Sequence, residues 1–194
     1  MKLVALDGHP GRSGTSSRLL RAYCEGAQDT GWDVDNIVLR DMAFDPILHE
    51  GYRERQEWEP DLEAAVSAIK ACDHLVVAFP MWWGGQPALL KGFFDRALLP
   101  GVAFKYHDND PFWDRLLSGR SADVIITADT PKFFLQLSYG SPILKQIEKQ
   151  VLGFCGFKPV RVKYFAPVRT KNDKAIEKWE ANAKTFGSKI VPSK

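Results

Sequence analysis

Short apolar runs and helically spaced stretches take turns along this chain. Lys2 to Asp7 is a compact apolar run closed by a carboxylate, the pattern of a buried strand. From Thr15 to Thr30, Leu19, Tyr23 and Ala27 share one helical face with Leu20 and Cys24 beside them, and Thr30-Gly31 supplies a stop. Val34 to Leu39 predicts a second strand, whereas residues 41 to 60 are irregular and rich in charge and aromatics. Pro60 and Asp61 open a helix carrying Leu62, Val66 and Ile69 on one face. His74 to Phe79 predicts a buried strand, and Pro87 stands at a first helical position before Ala88 to Leu99. After a long connection from Pro100 to Arg120, Ser121 to Thr127 predicts a fourth strand. Ser141-Pro142 suits the cap and first turn of a helix over Ile143 to Leu152. In Lys158 to Phe165, Val160, Val162 and Tyr164 alternate with basic residues, which predicts an edge strand with one face partly wet. A last helix begins near Asn172 and carries Ile176, Trp179, Ala183, Phe186 and Ile190.

Five strands alternating with five helices predict a three-layer α/β domain with a mainly parallel sheet. The length of 194 residues suits one domain spanning residues 1 to 194. For five strands the natural arrangement is the doubly wound order 2-1-3-4-5, with a ligand beyond the carboxyl ends of strands one and three. Three loops reach that point: Gly8 to Ser17, Pro80 to Gln86, and the residues from Thr127 onward.

The first loop reads GHPGRSGTSS. Glycines and hydroxyls at a helix N-terminus, with His9 and Arg12 as added donors and Thr15, Ser16 and Ser17 opening the helix, suit a phosphate. A capped helix after a Gly-rich turn is the plainer reading of the same residues. Neither G-x-x-x-x-G-K-[ST] nor G-x-G-x-x-G is present. The second loop sets Trp82 and Trp83 beside Gly84 and Gly85 at a strand end. Paired indoles next to open backbone suit a flat ring ligand.

Composition narrows the classes. Hydrophobic residues make up 45% and charged residues 26%, ordinary values for a globular protein. A net charge of +2, without runs of one sign, gives no reason to expect nucleic acid or membrane insertion. Cys24, Cys72 and Cys155 are odd in number and widely spaced, which fits neither a disulfide framework nor a metal site and suits a cytoplasmic chain.

The stretches GHPGRSGTSSRLL, GWDVDNIVLRDMAFDPIL, FPMWWGGQPALLKGFFDRALLPGVAF and GFCGFKPVRVKYF together resemble the NAD(P)H:quinone oxidoreductase family, of flavodoxin-like fold. The resemblance implies a flavin, FMN in some branches and FAD in others, and homodimers whose sites are completed by the partner chain. Carried over, His9, Thr15 and Ser17 resemble the family's phosphate contacts, and Pro80, Met81, Trp82 and Trp83 resemble the segment along the isoalloxazine ring. Where relatives show Thr-Thr-Gly-Gly against the flavin, this chain reads Thr127-Ala128-Asp129-Thr130-Pro131, and Gly84 stands where many carry an aromatic. The Tyr and His that assist hydride transfer have no secure match, and Tyr139 is the candidate for the first.

The expectation is a two-electron NAD(P)H oxidoreductase acting through FMN or FAD on a quinone or similar small aromatic acceptor. An electron-carrier flavodoxin, or a flavin-bearing ancillary subunit of a transporter, is the alternative; carriers are strongly acidic and this chain is slightly basic. Phe104, Tyr106, Phe112, Trp113, Phe133, Phe134 and Tyr139 would wall the acceptor pocket or, for the majority, pack across a dimer interface.

Overall fold

A computed structural model describes residues 1–193, so Lys194, the last residue of the expected domain, lies outside the described residues. The main sheet joins β1 (Lys2–Asp7), β2 (Asp33–Val38), β3 (His74–Pro80), β6 (Ser121–Thr127) and β7 (Val160–Phe165), all parallel, in the order β2-β1-β3-β6-β7. This is the expected order, with two short strands, β4 (Phe104–Tyr106) and β5 (Trp113–Arg115), paired separately as an antiparallel hairpin in the long connection.

Strand alternation divides the apolar residues between two helical layers. In β1, Leu3 and Ala5 face a cluster with α1 (Thr15–Gln28) and α7 (Asp173–Gly187). Val4 and Leu6 face the other layer, where α2 (Pro60–Ala71), α3 (Ala88–Ala97) and the helical segment 142–155 pack. The side chains of Leu3, Leu6, Phe79 and Phe93 are wholly buried. Each such residue contributes on the order of 1.5–3 kcal/mol.

Close helix approach fixes the first layer. A Cβ on Gly26 of α1 would lie 2.0 Å from the Lys184 carbonyl oxygen, and one on Gly187 of α7 would lie 2.0 Å from that of Tyr23. Glycine is required at both points. A buried polar cluster ties the same layer to the sheet: the Tyr23 hydroxyl donates to Asp123 at 2.6 Å, Arg161 Nε donates to Asp123 at 2.7 Å, and His74 Nδ1 lies 2.7 Å from Ser121 Oγ.

β7 is an edge strand whose basic face is partly wet, as expected: Arg161 and Lys163 are half-buried and lie 4.5 and 4.7 Å over the Phe186 ring of α7. Several expectations change in detail. Ser141 makes no side-chain cap; the chain turns into α5 (Pro142–Lys145) through left-handed Gly140 and Ser141. The helix then winds as a π-helix over Gln146–Leu152 before α6 (Gly153–Cys155). Another helix, α4 (Lys132–Tyr139), precedes it, where no element was expected. α7 begins beside Asn172 as expected, and Asn172 caps it by accepting the Ala175 N–H at 3.0 Å. The irregular segment 41–60 is anchored by fully buried Arg96 of α3, which donates to Glu59 at 2.9 Å and to the Glu57 carbonyl at 2.8 Å. No helix among the described residues is long and apolar enough to cross a membrane.

Candidate functional site

The carboxyl end of β1 organises the first loop through Asp7, which is buried. Its carboxylate accepts from the Ser17 hydroxyl at 2.9 Å, the His9 N–H at 3.0 Å and Arg40 Nη1 at 2.7 Å. Helix α1 then starts with Gly14 as N-cap and no side-chain cap, and its first backbone bond is Arg18 N–H to the Gly14 carbonyl at 3.1 Å. The N–H groups of Thr15, Ser16 and Ser17 are therefore left without acceptors among the described residues, at the positive end of the helix dipole. Ser16 Oγ is buried beside them and has no partner among the described residues.

His9 completes this end. Its Nδ1 lies 2.9 Å from the Gly11 nitrogen and 3.1 Å from the Gly11 carbonyl oxygen, so the ring is held by the loop at that atom. The ring packs so closely on Gly14 that a Cβ there would sit 2.4 Å from Nε2.

The second loop leaves β3 tied to β6 by Met81 N–H donating to the Thr127 carbonyl at 2.7 Å. Trp82 and Gly85 exchange two backbone hydrogen bonds of 3.0 Å across a two-residue turn, with φ of 51° at Trp83 and 77° at Gly84. Both central residues are left-handed, the backbone of a type I′ turn. Trp82 is half exposed and meets His9 edge-on at 6.0 Å, while Trp83 projects into solvent at 106% relative exposure.

The third wall joins the loops after β6 and β7. Ala128 N–H donates to the Phe165 carbonyl at 3.0 Å, and Val168 N–H donates back to the Ala128 carbonyl at 2.9 Å. Asp129 Oδ1 accepts the Arg169 N–H at 2.6 Å, and the Tyr164 hydroxyl donates to the Thr130 carbonyl at 2.7 Å. Burial, and then the charge of Asp129, push the Tyr164 phenol up.

These walls enclose a cleft of about 200 Å³ lined by His9, Thr15, Pro80, Met81, Trp82, Thr127, Ala128, Asp129 and Val168. Eight of the expected cofactor-site residues therefore meet in one place. Arg12, Ser16, Ser17, Trp83 and Gly84 lie outside its lining. Arg12 is exposed, Ser17 turns its hydroxyl to Asp7, and Trp83 and Gly84 form the turn tip. Tyr139 is also outside the lining, exposed at the end of α4 with its ring edge-on to Phe134 at 5.6 Å. Sequence reasoning missed Asp7, Arg40 and Val168. A carboxylate closing an otherwise apolar strand was the available signal for Asp7, whereas Arg40 and Val168 had none. Another hollow, of about 230 Å³ between Leu48, Tyr52, Trp58 and Pro100, touches no strand end of the main sheet.

A family model described as flavodoxin-like fold matches residues 1–189. The chain belongs to this family. Among curated relatives, the FMN-dependent NADH:quinone oxidoreductase of Azotobacter vinelandii is 30% identical over 173 residues, covering 82% of this chain and 84% of that protein. The NAD(P)H dehydrogenase [quinone] 1 of Rattus norvegicus is 29% identical over 178 residues, 77% of this chain. The matched part spans 62% of the rat protein's length. Among solved structures, that of Smu.1420 from Streptococcus mutans UA159 superposes with a TM-score of 0.83 at 26% identity, covering 98% of this chain and all of that one. The placement of the cleft at the β1/β3 switch point is where this family's fold offers a ligand site.

Proposed function

We propose that this protein is a flavin-dependent NAD(P)H oxidoreductase that passes two electrons to a quinone or similar small aromatic acceptor. The observation that carries the reading is the start of α1: three unused backbone N–H groups beside a buried, unpartnered Ser16 hydroxyl. A flavin phosphate supplies the acceptors these donors lack. The named activities of the Azotobacter and rat relatives point to the same chemistry.

The residues present fit the cofactor. The N–H groups of Thr15, Ser16 and Ser17, the Ser16 hydroxyl and the His9 ring would hold the phosphate. Trp82, Met81 and the backbone at Pro80, Thr127 and Ala128 would border the ring. When bound, the flavin supplies hydride chemistry that no side chain of the chain possesses. The protein's own part is positioning: Asp7 fixes His9 and the helix start, and the Met81–Thr127 bond fixes the gap between the two ring-side loops. At about 200 Å³ the cleft is smaller than the roughly 300–1,000 Å³ of pockets that enclose a whole ligand. A cleft of this size would leave one face of the ring open to donor and acceptor. In net terms NAD(P)H gives up a hydride, and a quinone takes two electrons and two protons, the second proton coming from water.

FMN is the favoured form, since the phosphate donors converge at one helix start and account for a single phosphate. The functional unit is a homodimer. Phe133, Leu137 and Tyr139 of α4, with Phe112 and Tyr106 of the β4–β5 hairpin, leave more apolar surface exposed than a lone chain needs. The three cysteines are free and buried, in keeping with the cytoplasm.

The test is direct. Purified protein should carry, or take up, FMN with a flavin absorption spectrum, and should oxidise NADH or NADPH faster when a quinone is added. A protein that stays colourless with both FMN and FAD would end this reading.

A further inference from the structure

Asp129 is the one acidic residue in the lining of the cleft, on the same wall as Thr127 and Ala128. Its Oδ1 accepts the Arg169 N–H at 2.6 Å, which holds the side chain in place. The donor is a backbone amide, so the charge is not neutralised. Among the described residues, no Lys, Arg or His nitrogen lies within 4.0 Å of this carboxylate. The phenol of Tyr164 already responds to it.

This inference rests on the flavin reading. A phosphate at the start of α1 leaves the other end of the cleft, between Trp82 and residues 127–129, for the ring. Hydride uptake by a neutral ring system leaves one extra negative charge on it. A carboxylate on the adjoining wall raises the free energy of that form more than that of the oxidised form. We infer that Asp129 sets the reduction potential of the bound cofactor, lowering it and so widening the range of acceptors that can be reduced. It acts through its charge, without touching the transferred hydride.

The experiment compares wild-type and Asp129→Asn protein reconstituted with FMN, each equilibrated with a reference redox dye. The Asn side chain keeps a carbonyl oxygen for the Arg169 N–H, removes the charge and puts an NH2 donor in place of the second oxygen. At a fixed dye potential the ratio of reduced to oxidised cofactor should rise about three- to tenfold, roughly 15–30 mV for a two-electron couple. The gain should shrink in high salt, because the carboxylate is exposed. Asp129→Glu, which keeps the charge, should stay near the wild-type ratio. If Asp129→Asn binds FMN and its ratio matches wild type, the inference fails while the flavin reading stands. If neither protein binds FMN or FAD, both fall.

Discussion

Arg40 pairs with Asp7 at 2.7 Å, joining the segment after β2 to the last residue of β1. The pair is mostly shielded from water, and Asp7 also receives the Ser17 hydroxyl and the His9 N–H. Removing Arg40 leaves a buried carboxylate short of its cation. Two remaining donors soften the loss. Arg40→Met is expected to cost about 2–4 kcal/mol in urea unfolding. Because Asp7 positions His9 and the helix start, FMN binding should weaken severalfold in the same variant. An unchanged urea midpoint would show that the pair contributes nothing net.

Ser16 gives a cleaner separation of binding from stability. Its hydroxyl is buried and unpartnered, so it costs desolvation energy in the protein without ligand. Ser16→Ala should therefore leave stability unchanged or slightly raised. If the hydroxyl donates to a phosphate, the variant should lose about 1–2 kcal/mol of FMN binding, roughly five- to thirtyfold in Kd. Riboflavin, which lacks the phosphate, should bind wild type and variant alike. Equal losses for the two ligands would place Ser16 away from the phosphate.

Trp83 occupies the first central position of its turn at a φ of 51°, and nothing among the described residues covers it. Asn-Gly is the preferred pair for such a turn. Trp83→Asn should thus raise the stability of the monomeric chain by on the order of 0.5–1 kcal/mol. A bulky indole kept in a strained, solvated place points to contact with another molecule. Turnover with quinone should fall while the unfolding temperature, measured at a protein concentration where the chain is monomeric, rises. A variant that gains stability and keeps full activity would leave Trp83 without a functional role.

The main sheet was legible because each of its strands carries its own signal. The run from His74 to Phe79 and that from Ser121 to Thr127 are buried on both faces and read as nearly unbroken apolar stretches. The three loops were legible through Gly8, Thr15, Pro80, Trp82 and Thr127, which stand at strand and helix ends. Helix α4 was not, since it buries only Leu135 and turns Phe133, Phe134 and Leu137 outward, so no inward face marks its period. The β4–β5 hairpin has three residues per strand, too few to show alternation. Ser17 was misread in part because its hydroxyl answers to Asp7, ten residues earlier, which local sequence does not reveal. Val168 reaches the cleft through pairing with Ala128, and Arg169 holds Asp129 beside it, contacts set by the order of the sheet.

Asp123 lies far from the cleft, near the amino ends of β3 and β6, and offers a test of the fold alone. Burial favours its neutral form, but hydrogen bonds from His74, Arg161 and Tyr23 win and hold the carboxyl below its usual range. Its pKa is thus lower in the folded chain than in the unfolded one, where it is about 3.9. Above that value both states are ionised and the stabilisation is complete. As pH falls below it the unfolded chain takes up the proton first, and the stabilisation is lost until pH passes the folded value. Asp123→Asn, which leaves Arg161 without its anion, should cost about 3 kcal/mol at pH 7. The gap from wild type should narrow steadily below pH 4, when urea midpoints are compared across pH. FMN binding at pH 7 should survive in the variant, since the cleft lies at the other end of these strands. A gap that stays constant down to pH 3 would mean that Asp123 is not held ionised by this cluster.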